Sequence, residues 1–538
     1  GVRMTAIRIY PHLQTLGRLR PVKQCQLLVT RGSVPSLTLL ALPVTVSLGT
    51  CWAHNLSAEE VKHEVPLKNL RINFPFIDEV SPSTPRAKLR QWRRVFRALM
   101  RAGYLFLLST PLLGVAVTAR ILGPAYPEAE AKIWDYVTRF IERSGPTLIK
   151  LAQWAASRED MFPAALTSKF ARLQDNNHPH SWNDTVTMLR KNLGPGWQKV
   201  LTLEREPIGT GCIAQVHRGI IRDTDGNERT VAVKVLHPGI MELVETDMDL
   251  LRWITDVASS FPRAEWLALR ETVDSFNTVF VEQLNMNLEF ANLAKLRRHF
   301  RDNTSVVFPE PLFSTHDVLI EKFMEGQPIR SFYSSEEPTK KRLSKIGIDT
   351  MLNMVFLNNF VHADLHPGNI LVNTGPDGCS PPTMVILDAG MAVELTASTH
   401  RNMLDVMIAF FRNEGYQAGQ LLVEGTRHEC SDVEGFCRDI ERMCDAAGDS
   451  NFFDKFGSYV TKIMGMACTY KVQLNDQFVT MAMAIKVLEG MALSLNPEVD
   501  LIESSIPVLL KASVRYQLGS WKWDGVSLVR RMTGISTK

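Results

Sequence analysis

The sequence predicts an α+β fold of two lobes, with a helical extension ahead of the first lobe and extra helices completing the second. Three observations predict it. From Leu201 the chain changes to short β-rich runs broken by turns, "LTLEREPIGTGCIAQVHRGIIRDTDGNERTVAVKVL". A long helical pattern follows over 264–300. The polar loop "VHADLHPGNILVN" at 361–373 then leads into a second hairpin and a helical tail reaching about residue 515.

At 538 residues, 45% hydrophobic and 22% charged, the chain has ordinary globular composition and room for two or three domains. The net charge of +3 gives no ground to expect nucleic acid as a partner. The positives are unevenly placed, because Arg3, Arg8, Arg18, Arg20, Lys23 and Arg31 all precede the first acid, Glu59. Residues 1–60 are therefore expected to be a basic mitochondrial targeting region. In the basic linker 61–124, the uncharged stretch 102–119 lies between Arg101 and Arg120. It reaches the lower end of membrane-spanning lengths, about 17–25 residues. Basic residues from Arg86 to Arg101 precede it, and Glu128, Glu130 and Asp135 follow. The expectation is a transmembrane helix in the mitochondrial inner membrane, with the C-terminal part in the intermembrane space. An earlier uncharged stretch, 32–53, is interrupted by Pro35, Pro43 and Gly49 and is the weaker candidate.

The remaining boundaries follow the pattern changes: a helical extension over 125–200, a β-rich lobe over 201–328, a second lobe over 329–515 and a tail over 516–538. The eight cysteines form no CxxC pair and read as reduced thiols. Cys430, Cys437 and Cys444 are seven apart, which places them on one face of a helix as small buried side chains.

In the first lobe, Asp225-Gly226 is a hairpin signal between "AQVHRGII" and "TVAVKVL". The preceding turn reads Gly209-x-Gly211-x-x-Ala214-x-Val216, with Ile208 at its entry. Glycines there let backbone amides approach phosphate, and Val216 can cover a nucleotide base. Alternation in "VAVK" puts Val231 and Val233 on one face and Ala232 and Lys234 on the other, so Lys234 points toward the turn as a phosphate cation. Glu289, in "NLEFANLAKL", is the expected carboxylate partner of Lys234, on a helix whose buried stripe is read as Val281, Leu284, Leu288 and Leu296.

Phosphoryl transfer needs a carboxylate at the attacking hydroxyl and oxygen ligands for magnesium, and Asp364 and Asn369 have the five-residue spacing of such a loop. A second hairpin, "ILV" and "MVIL", returns Asp388 of "LDAG" to the same place as a second magnesium ligand. His362-x-Asp364-x-His366 also has the form of a metal cluster, but Asp364 already has a task, which leaves His362 as a structural hydrogen-bonder. No Ala-Pro-Glu follows Asp388, and "STHRNMLDVMIAFF" is already helical, so no peptide platform is expected. The methionine-rich "DQFVTMAMAIKVLEGMALSL" reads as core, and the end carrying Trp521 and Trp523 as surface-associated.

Together with "SGPTLIKLAQWAASREDMFP" ahead of the first lobe, these motifs resemble the UbiB/AarF family of atypical kinases over about 125–515, most specifically in "HADLHPGNILV". The resemblance implies a protein-kinase-like fold, ATP and Mg2+ as cofactors, and a link to coenzyme Q or lipid metabolism. It further implies a lipid or quinone-precursor ligand and proteins of a membrane biosynthetic complex as partners. The family's Lys-x-Gly-Gln motif falls on Lys150-Leu151-Ala152-Gln153, which places Lys150 and Gln153 at the nucleotide site. Ala152 departs from the family glycine. Gln283 and Asn285 depart from its Glu-x-Asp pair, which removes both charges from that position.

Overall fold

The computed structural model describes residues 85–122, 127–156, 179–222, 226–259, 269–375, 380–424, 427–428, 432–447, 456–474 and 476–497, with a few isolated positions besides. The targeting region 1–60, the stretch 32–53, Asp225 and the tail with Trp521 and Trp523 lie outside them.

Three helices lead: α1 (Pro85–Leu122), α2 (Pro127–Ser144) and α3 (Pro146–Ala156), followed by α4 (Trp182–Leu193). Strands β1 (Leu201–Leu203), β2 (Gly209–Thr210), β3 (Ala214–Arg222) and β4 (Glu228–Leu236) come next, then α5 (Ile240–Ser259), α6 (Leu269–Gln283) and α7 (Met286–His299). After β5 (Val306–Val307), β6 (Pro311–Ser314), β7 (Val318–Lys322) and β8 (Gln327–Pro328) stands α8 (Glu337–Leu352). The short strands β9 (Val361–His362), β10 (Ile370–Asn373), β11 (Thr383–Ile386) and β12 (Ala392–Val393) precede α9 (Ala397–Phe411), α10 (Gly415–Val423), α11 (Val433–Ala447), α12 (Phe456–Tyr470) and α13 (Asp476–Leu495). This is the expected α+β arrangement.

The first sheet runs in the order β1-β3-β4-β7-β6, all antiparallel, with β2 also on β3. The alternation read from "VAVK" holds. Val231, Val233 and Val235 pack with Val318 and Ile320 against Leu189 and Trp197 on the outer face, each such side chain stabilising by about 1.5–3 kcal/mol. β1 lies so close over β3 that a Cβ at Gly219 would sit 2.4 Å from Leu203 Cδ2, which reserves that position for glycine. The second sheet, β5-β11-β10-β8, contains the expected hairpin in register Ile370↔Ile386 to Asn373↔Thr383. It also recruits Val306–Val307 in parallel to β11, a pairing that alternation along one segment does not reveal.

Two expectations are corrected. The helical pattern 264–300 is two helices, broken at Asn285, whose side chain accepts from Asn287 N and caps α7. Leu284 and Leu296 are fully buried, but Val281 and Leu288 are exposed, because the break rotates the stripe.

The expected membrane span is the second correction. Residues 102–119 form the later part of the 38-residue α1, and among the described residues no helix is long and apolar enough to cross a membrane. The earlier part of α1 is fastened to α5 by charge. Arg101 grips Asp247 through Nε (2.6 Å) and Nη2 (2.8 Å), Arg94 Nε donates to Asp249 (2.8 Å) and Arg97 to Glu242 (2.6 Å). Arg94, Arg97 and Arg101, part of the cluster that suggested a matrix-side flank, thus form an intramolecular docking face. Trp92, Phe96, Leu99, Met100 and Leu107 lie along the opposite, exposed face.

Cys437 and Cys444 are buried on α11, as their spacing requires, against Gly419 and Gly415 of α10; Cys430 lies outside the described residues. Burial first, then Asp445 and Glu441, pushes the Cys444 thiol up to about 11, which keeps it a thiol. Met481 and Met491 of α13 are core, as expected.

Candidate nucleotide and phosphoryl-transfer site

Lys234 comes from the centre of β4 and faces the cleft side of the first sheet, opposite Val216 on β3 and Leu319 on β7. It is bonded to Glu289 on α7, as predicted, and donates to Leu387 O at 3.1 Å. That carbonyl belongs to the residue before Asp388, so one ammonium joins β4, α7 and the second-lobe hairpin. Burial alone would lower the lysine; Glu289 first, then Glu321 and Asp388, more than offset it and hold the ammonium charged.

Gly209 and Gly211 stand at the β2–β3 turn, where Ile208 N bonds to Val216 O and Gly211 N to Ala214 O. A Cβ at Gly209 would meet nothing within 4 Å, so the turn leaves open space beside its backbone. Its other fastening was not legible in sequence. Thr185 Oγ1 bonds His180 Nε2 at 3.0 Å, His180 Nδ1 bonds His237 Nδ1 at 2.7 Å, and His237 Nε2 donates to Gly211 O at 2.9 Å. The carbonyl can only accept, so the chain has one direction if both rings are neutral. Neutrality agrees with their environment: burial lowers His237, and burial with His237 beside it lowers His180 to about 4.

In the loop 361–373, His362 is wholly buried and structural, as read from sequence. Its Nε2 donates to Asp388 O (2.6 Å) and its Nδ1 accepts from Asp364 N (3.1 Å), so one ring ties the two carboxylate loops together. Pairing of β9 with β12, Ala363 N to Met391 O and Leu387 N to Asn369 O complete the junction. Asn369 Nδ2 reaches Asp364 O at 3.4 Å. Asp388 Oδ1 accepts from Gly390 N at 2.7 Å. Burial works to raise the Asp388 carboxyl, but Lys234 above all, then His362 and the Gly390 amide, hold it below the usual range and ionised.

Ahead of this loop, α8 ends in a π-helical turn, Asn353–Leu357, and Asn359 adopts φ +47°. Its side-chain amide holds that conformation by bonding Leu395 O and Leu395 N.

Lys150 and Gln153 lie on α3, and Lys150 Nζ is 3.4 Å from Asp364 Oδ2. The helix therefore sets a cation against the Asp364 carboxylate. Ala152 is buried with Val137, Ile141 and Ile149, so the methyl that replaces glycine is packed. Gln283 Oε1 is buried without a hydrogen-bond partner among the described residues, and Asn285 serves as the cap described above.

Sequence reasoning missed Glu321. It stands on β7 opposite Ala232, on the cleft face, 3.4 Å from Lys234 Nζ. The signal was present as an acid inside the apolar run "VLIE".

The donor set suits Mg-ATP. A carboxylate and an amide oxygen are ligands for a hard cation that keeps much of its water and shares phosphate oxygens. Among the described residues no cluster of three or more His, Cys, Asp or Glu could hold a metal, which removes the alternative reading of His362, Asp364 and His366.

A family model, the ABC1 atypical kinase-like domain, matches residues 172–421. A mitochondrial ABC1 family protein of Schizosaccharomyces pombe is 28% identical over 89% of this chain and 79% of its own length. The chain thus carries a region similar to the ABC1 atypical kinase-like domain and resembles ABC1/UbiB family proteins over most of its length. A second mitochondrial ABC1 family protein, from Saccharomyces cerevisiae, is 29% identical over 76% of this chain and 72% of its own. A probable protein kinase UbiB of Histophilus somni is 26% identical over 69% of each. The matched region contains Lys234, Glu289, Asp364, Asn369 and Asp388.

Proposed function

We propose that the protein is a mitochondrial Mg-ATP-dependent kinase or ATPase that supports coenzyme Q biosynthesis or lipid metabolism. The observation that carries this reading is the bonding of Lys234 to both Glu289 and the carbonyl next to Asp388. Lys234 neutralises phosphate charge and Glu289 holds it in place; Ile208, Gly209, Gly211, Ala214 and Val216 line the nucleotide, and Asp364 orients the attacking hydroxyl or water and accepts its proton. Asn369 and Asp388 would hold Mg2+, which supplies electrostatic stabilisation of the transferring phosphoryl group.

A small lipid-like acceptor fits better than a peptide. Only eight residues separate Asp388 from the start of α9 at Ala397, which leaves no length for a peptide platform. The mitochondrial setting rests on the two fungal relatives, and the coenzyme Q link on the UbiB name. Contact with an anionic membrane surface would run through the exposed apolar face of α1, a helix whose 38 residues contain no acid.

A nucleotide-gated scaffold for a membrane biosynthetic complex is the second reading, favoured by the contact of Lys150 with Asp364. The deciding experiment is Mg-ATP turnover by the full chain and its Asp364→Asn variant, with and without anionic liposomes and a quinone-precursor mimic. Turnover abolished by the substitution supports the enzyme; nucleotide binding without turnover in every condition supports the scaffold.

A further inference from the structure

Lys234 faces two carboxylates, and they are held differently. Glu289 is fixed from two sides, by Lys234 and by the Ala389 backbone amide. Glu321 is fixed from one. Its Oε1 makes an ion contact with Lys234 at 3.4 Å, and its Oε2 is buried without a hydrogen-bond partner among the described residues. The side chain is only 3% exposed, and an unsatisfied carboxyl oxygen in such a place asks for a reason.

An ammonium has three N–H donors. Glu289 and Leu387 O engage two of them, and of the three acceptors around Nζ in these contacts Glu321 is the farthest. A nucleotide phosphate that reaches Lys234 must take the remaining donor, and Glu321 is the group it meets there. We propose that Glu321 is a placeholder: a positioning residue that occupies Lys234 in the nucleotide-free protein, is displaced by phosphate, and so weakens nucleotide binding. The proposal rests on Lys234 being the phosphate cation.

The location fits that role. Glu321 shares the cleft face with Ala232 and Lys234 and is the penultimate residue of β7, just ahead of the stretch 323–326 that links the two sheets. Glu321 competes for the donor that phosphate needs, and once ionised, at the higher pH, it repels the incoming phosphate as well. The groups that face it are Lys234 from β4, Glu289 from α7 and Asp388 from the hairpin loop. A second acid that merely stabilised the lysine would be expected to have its other oxygen satisfied, and Glu321 Oε2 is not, among the described residues.

The test is calorimetric titration of the full chain with Mg-ATP, comparing the unsubstituted protein with Glu321→Gln, Glu321→Leu and Glu289→Gln at about pH 7 and about pH 9. The expected result is tighter binding in both Glu321 variants, by about fivefold or more at the higher pH, and weaker binding in Glu289→Gln. Damage to the fold would weaken binding, so the sign separates displacement from a structural role. Equal or weaker binding in both Glu321 variants, with the unsubstituted protein binding normally, overturns the placeholder. Absence of Mg-ATP binding in every protein would overturn the nucleotide site itself.

Discussion

Lys150 Nζ and Asp364 Oδ2 are 3.4 Å apart although 214 residues separate them in the chain. The lysine is nearly buried and the aspartate partly open, so a helix ahead of the first sheet places its cation on the carboxylate proposed to accept the proton. Lys150→Met is expected to raise Mg-ATP turnover several-fold, whereas Asp364→Asn lowers it by about 10²-fold or more. Steady-state phosphate release measures both. A loss of turnover in Lys150→Met with unchanged nucleotide affinity would show that the lysine assists the reaction and does not restrain it.

Breaking the Lys234–Glu289 pair from one side leaves a charge buried. Lys234→Met is expected to destabilise by about 3–5 kcal/mol, with the double substitution Lys234→Met and Glu289→Leu recovering part of the loss. Urea unfolding of the four proteins of this cycle measures the coupling. Additive losses would mean that the two side chains do not depend on each other.

The charge state of Glu321 predicts a pH trend in stability. Burial first, with Glu289 and Asp388 also acting against the pull of Lys234, raises its carboxyl from 4.5 to about 8. The folded protein therefore keeps a proton that the unfolded chain has released. The associated stability is complete below about pH 4.5 and is lost as pH rises toward about 8. Glu321→Gln is expected to flatten the fall in melting temperature between about pH 5 and 8. Parallel melting curves for variant and unsubstituted protein would remove this group as the cause.

Docking of α1 depends on few residues, and Arg101 is the most committed of them, bonded to Asp247 twice and to Ser144 O. Arg101→Ala leaves a nearly buried Asp247 unpaired and is expected to cost about 3 kcal/mol or more. Limited proteolysis should then cut within 85–122 much faster, while the β-rich lobe stays intact.

The sequence showed what depends on local pattern. Lys234 was placed by strand alternation, Asp364 and Asn369 by their spacing, and the 370–386 hairpin by two apolar runs around a turn. Contacts set by distant packing were not legible. Nothing near His180 indicates that it meets His237, or that His237 holds the carbonyl of Gly211. The stretch 102–119 is apolar enough to imitate a membrane helix, and only the position of Asp247 and Asp249 on α5 shows where the preceding arginines belong. Glu321 lay in plain view but became interpretable once β7 was known to lie beside β4.

The same ion pairs decide where the chain can be cut. A fragment beginning at residue 125 would keep every motif from Lys150 to Asp388, yet it would strip Arg94, Arg97 and Arg101 from Asp249, Glu242 and Asp247. The bared surface of α5 would carry three mutually repelling carboxylates where a tightly matched seam had been. Such a fragment should attract divalent cations and basic proteins nonspecifically, and its low yield or altered nucleotide affinity would report the missing helix and not the chemistry of the cleft.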